Sequence, residues 1–146
     1  MKKIKKMDKC QVGFFSAGIF LLTALVLSSC SRKMNFQVST VVPAAEGSIR
    51  IKKDRNKNYQ IDLSTVNLAE PKRLDPPKSI YIVWMNTDQN GTKKVGQLKT
   101  ASSMLSKTLK SSLKTSVPYN PTGFFISAED DPDVVSPSGL VVLSTR

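Results

Sequence analysis

The chain opens with a segment that carries an address rather than a fold. Five lysines, Lys2, Lys3, Lys5, Lys6 and Lys9, and a single acid, Asp8, precede an almost wholly apolar run from Val12 to Leu27. About 15 apolar residues are short for a permanent membrane-spanning helix, which needs ~20, and suit the core of a secretory signal peptide. The lysines hold that end in the cytoplasm, so the rest is exported. Residues 1–29 are therefore read as a signal-peptide helix that is cut away. The remaining 117 of the 146 residues must build the fold, which is ample for one packed core.

The apolar run ends in Leu27-Ser28-Ser29-Cys30. This resembles the lipobox of bacterial lipoproteins, in which an aliphatic residue and two small residues lead into a cysteine. The resemblance implies that the Cys30 sulfur takes a diacylglycerol, that a peptidase cuts between Ser29 and Cys30, and that the freed amine is open to N-acylation. One acyl chain binds a bilayer only marginally, whereas two or three, at ~0.8 kcal/mol per buried methylene, anchor stably. The next residues, Ser31-Arg32-Lys33, lack an acid in second place and resemble lipoproteins forwarded to the outer membrane. The expected location is the cell envelope, at the outer membrane facing the periplasm. Cys10 falls in the leader and Cys30 is claimed by lipid, so no disulfide is available.

Beyond Cys30, residues 31–35 are read as a short polar tether and 36–146 as one β-sandwich domain. Short apolar stretches separated by turn residues carry that reading. Phe36–Val42 is rich in β-branched residues, and Gly47–Lys52 alternates apolar with polar. Tyr59–Leu63 alternates again, after the polar turn Asp54–Asn58. Ser79–Met85 is the most apolar run and is placed centrally in a sheet. Asn90-Gly91 is a favoured hairpin turn, from which Lys93–Leu98 returns. Leu105, Leu109, Leu113 and Val117 recur every fourth residue, which fits a helix face or a strand face. Dense serine and threonine favour strand there, as two short strands with a break. Phe124–Ser127 and Leu140–Leu143 close the series. About seven or eight strands in one domain is the count of an immunoglobulin-like sandwich.

Several motifs occur in an order similar to the extracytoplasmic C-terminal domain of anti-sigma-K factors. They are Tyr81-Ile82-Val83-Trp84, Gly96-Gln97-Leu98, the run Pro121–Glu129, Pro137-Ser138-Gly139, and Val141-Val142-Leu143-Ser144. The resemblance implies a β-sandwich. It does not bring sigma-factor binding with it, because that function belongs to a separate cytoplasmic His/Cys zinc domain, and this chain has no histidine.

The missing histidines also remove the usual general base near neutral pH and the commonest zinc ligand. No serine lies in a Gly-x-Ser-x-Gly elbow. The chain is read as no enzyme, without a metal or a cofactor beyond the lipid on Cys30. Trp84 is expected to fill the space between the sheets. Arg50, Lys52, Lys53, Arg55 and Lys57 form a basic hairpin tip, either a solvated turn or a contact for anionic head groups and acidic glycans. Asp54–Asn58 opens like a calcium loop, but Tyr59 and Thr65 stand where glycine and glutamate belong. Glu129-Asp130-Asp131-Pro132-Asp133 is the densest acidic cluster, either an exposed interstrand loop or a calcium site. Of the chain's formal +11, the leader carries +4, leaving +7. Export excludes nucleic acid as the partner of that charge. The expected function is a non-catalytic binding or assembly module, held by its lipid anchor and meeting an envelope protein or cell-wall glycan. The alternative is an envelope-sensing regulatory accessory.

Overall fold

The computed structural model describes residues 31–102 and 109–145. The expected signal-peptide helix, the lipobox-like residues Leu27 to Cys30, and Leu105 lie outside the described residues. Nine strands are described. They are β1 (Ser31–Asn35), β2 (Glu46–Lys53), β3 (Tyr59–Val66), β4 (Ile80–Thr87), β5 (Thr92–Leu98), β6 (Thr100–Ser102), β7 (Leu109–Val117), β8 (Pro121–Glu129) and β9 (Leu140–Ser144). They form two antiparallel sheets: sheet A in the order β1-β2-β3-β7-β6, and sheet B in the order β5-β4-β8-β9. The described residues are all-β and built as a sandwich.

Period-2 alternation decides what fills the middle. Ile49 and Ile51 of β2 pair with Leu63 and Ile61 of β3, and all four point inward from sheet A. Tyr81, Val83 and Met85 of β4 meet Ala128, Ile126 and Phe124 of β8 on the inner face of sheet B. These residues form one core cluster shared by both sheets. Burial pushes the Tyr81 phenol up to about 12, so it stays a neutral donor and bonds the Ala69 carbonyl at 2.9 Å.

The N-terminal segment departs from expectation in two places. Residues 31–35, read as a tether, are strand β1, paired residue by residue with β2 from Ser31↔Lys52 to Asn35↔Ser48. Only Met34 reaches the core from it, so side-chain pattern gave no sign of a strand that backbone pairing alone defines. Conversely, Phe36–Val42 is no strand. The Phe36 amide bonds Gly47, and the next amide, Gln37, bonds Ser144 of the other sheet, so the chain crosses between sheets here. The Ser39 hydroxyl then accepts the Val41 and Val42 amides at 3.1 and 2.9 Å and rounds the bend. Residues 109–117 form a strand, and the described strands number nine rather than seven or eight. In the β4–β5 turn, Gly91 takes a φ of 65°, the left-handed region that favours glycine.

Trp84 requires a correction. It is fully buried, yet it does not lie between the sheets. With Tyr81, Val83 and Met85 committed to the shared core, alternation turns Ile82 and Trp84 to the outer face of sheet B. Strand β4 is buried on both faces, which explains its unbroken apolar run.

Candidate functional site

The outer face of sheet B carries a buried polar chain. Trp84 stacks on Phe125, with ring centroids 6.3 Å apart, and its indole N–H donates to the Ser127 hydroxyl at 2.8 Å. Ser127 in turn donates to Glu129 Oε1 at 2.6 Å. The Ser138 hydroxyl donates to Glu129 Oε2 at 2.9 Å, and the Ser138 amide to Oε1 at 3.2 Å. Glu129 is 2 % exposed. Burial alone would push its carboxyl up, but Ser127, the Gly139 amide and Ser138 outweigh that and hold it below the ordinary glutamate value.

Gly139 is required at this point. A Cβ there would stand 2.7 Å from Glu129 Oε2 and closer still to the Ala128 carbonyl. The segment from Asp130 to Gly139 is fastened over the face by these bonds, by Lys94 donating to the Pro132 carbonyl, and by the Lys78–Asp130 ion pair at 2.7 Å. The acidic cluster Glu129–Asp133 is therefore dispersed. Glu129 is a buried strand residue, Asp130 meets Lys78, and Asp131 accepts the Asp133 amide at 2.8 Å. Among the described residues no three carboxylates converge on a point that would hold a metal ion.

The basic residues divide between a sheet face and a hairpin tip. On the outer face of sheet A, Lys33, Arg50, Asp62 and Lys114 form one rung across β1, β2, β3 and β7. The neighbouring rung is Ser31, Lys52, Gln60 and Ser116. Between them lies an open depression of about 530 Å³, lined by Arg50, Lys52, Gln60, Asp62, Lys114 and Ser116. Asp62 reaches Lys114 at 3.5 Å, a solvated pair.

Lys53, Arg55 and Lys57 project from the β2–β3 turn, all exposed, with the Lys53 ammonium 5.4 Å from the Tyr59 ring centroid. Asp54 has a structural task here. Its Oδ1 accepts the Asn56 and Asn58 amides at 2.8 and 2.9 Å and closes the turn, in which Lys57 takes a φ of 66°. Local aspartate-to-amide bonding of this kind accounts for the calcium-like spacing.

Sequence reasoning singled out Trp84 and Glu129 separately and missed Ser127, Ser138 and Gly139, which join them. Both Ser127 and the Pro137-Ser138-Gly139 motif belong to the resemblance to the anti-sigma-K factor domain. Every motif quoted for that resemblance falls in sheet B or the segment that covers it. A family-model scan, a search of curated proteins and a search of solved structures each return no match.

Proposed function

We propose that the chain is a lipid-anchored module of the bacterial cell envelope. Residues 1–29 direct export and are removed. Cys30 carries a diacylglycerol and an N-acyl chain, and the sandwich stands in the periplasm from the outer membrane. The observation that carries this reading is Leu27-Ser28-Ser29-Cys30 in register at the end of a lysine-headed apolar run. The sandwich is of immunoglobulin-like type. The strand order supports this: β2-β3-β7-β6 against β5-β4-β8-β9 matches A-B-E-D against C′-C-F-G, with β1 added outside strand A.

The module works by binding or assembly rather than catalysis, with an envelope protein or cell-wall glycan as partner. The engagement of Glu129 supports this, since its carboxylate is consumed by donors that fasten a loop. A second reading, an envelope-sensing regulatory accessory, draws on the clustering of the anti-sigma-K-like motifs in sheet B.

Intact mass and the N-terminal peptide of the membrane-extracted protein test the anchor. The expected product begins at Cys30 and bears acyl mass on that residue. Cys30→Ala is expected to accumulate as an uncut precursor in the inner membrane. A mature wild-type chain without acyl groups overturns the reading.

A further inference from the structure

We infer that the β2–β3 end of the sandwich is a docking surface for an anionic phospholipid bilayer, resting on the lipid-anchor reading above. The first ground is register. Strand β1 begins at Ser31, one peptide bond from Cys30, so the domain has no tether of its own. Ser31 lies directly opposite Lys52, at a strand spacing of ~4.8 Å, and Cys30 stands only ~3.8 Å along the chain from Ser31. The β2–β3 turn extends past that pair. A membrane holding Cys30 by its acyl chains therefore meets Lys53, Arg55 and Lys57 at headgroup depth.

The second ground is charge. Those three cations are exposed, with Lys52 behind them and the depression of Arg50 and Lys114 beyond. The one acid in the turn, Asp54, has Oδ1 engaged by two backbone amides. At the opposite end of the strands the charges nearly cancel. There Glu46, Glu70, Asp75, Asp130, Asp131 and Asp133 stand with Lys72, Arg73, Lys78, Lys99 and Lys110, and Asp130 pairs with Lys78. The cationic end is the end that carries the attachment residue. Lipid phosphates are the anions that this arrangement brings within a Debye length of the turn.

Residues 30–146 are a suitable probe, because the described strands bury a shared core of their own and Cys30 is the only thiol left without the leader. Coupling Cys30 to a maleimide lipid fixes the domain on vesicles whether or not cells acylate it. A failure of acylation in cells is then read separately from a failure here. Lysine acetylation is followed by mass spectrometry on phosphatidylcholine vesicles, and on phosphatidylcholine mixed with phosphatidylglycerol.

The expected result is that Lys53 and Lys57 react at least ~3-fold more slowly on the anionic vesicles, while Lys72 and Lys99 are unchanged. Raising salt to ~1 M, where the Debye length is ~3 Å, should erase the difference. Equal labelling on both vesicles overturns the inference, as does equal protection on phosphatidylcholine alone. Protection by a soluble acidic glycan but not by the anionic vesicles assigns the surface to glycan and overturns it too.

Discussion

The two outer faces of the sandwich solve opposite problems. Sheet A turns rungs of serine, lysine, arginine and glutamine to open solvent, and its inward residues pack into the shared core. Sheet B turns Ile82, Trp84, Ser127 and Glu129 outward and then covers them with Asp130–Gly139. One face is a surface and the other is a second, smaller core. The difference teaches that alternation assigns a residue to a face, while a connecting segment decides whether that face stays wet.

The largest expected effect that would break this contrast is at Trp84. Trp84→Ala removes the ring that fills the covered face and leaves Ser127 without its donor. It should cost ~3–5 kcal/mol in urea unfolding. Ser64→Ala, on the exposed face of sheet A, should stay within ~0.5 kcal/mol. Comparable losses at both positions would mean that the faces do not differ.

Next comes pH. The folded-state pKa of Glu129 is lowered, so its contribution is fully present above the ordinary glutamate value and is lost as pH falls through the lower, folded one. Urea midpoints should fall over that acid window. Glu129→Gln should lower stability at neutral pH and flatten the acid dependence. A variant with the wild-type pH profile would show that the carboxylate is not what secures the loop.

The smallest effect concerns the inner face of sheet A. Thr65 and Ser111 are cross-strand partners, and both hydroxyls are buried with no hydrogen-bond partner among the described residues. Replacing both with apolar groups of the same shape, Thr65→Val with Ser111→Ala, should leave stability within ~1 kcal/mol of wild type or raise it. A large loss would show that those hydroxyls are engaged.

Much of the fold was legible because its signals are local. Alternation in Gly47–Lys52 and Tyr59–Leu63, the turn at Asn90-Gly91 and the unbroken run at β4 each announced an element, and β4 is central in its sheet. What escaped has a physical reason in each case. Strand β1 has polar residues on both sides and is held by main-chain pairing, which no side-chain pattern encodes. Phe36–Val42 has strand composition, but consecutive amides at Phe36 and Gln37 bond different sheets. Trp84 was expected to be buried, but on the wrong face, because an apolar run on both faces of a strand does not say which residue points where. The Glu129 network joins residues from β4, β8 and the segment before β9, so only the folded register assembles it.

Strand β1 has one more consequence, for load. Its five residues lie antiparallel against β2 at the edge of sheet A, with residue 31 next in the chain to the proposed attachment at Cys30. A pull on residue 31 along the strand axis strains that ladder lengthwise, so its bonds resist together instead of parting one after another. A drag on the domain is thereby met first by five paired residues acting in concert, before any of the interior is disturbed.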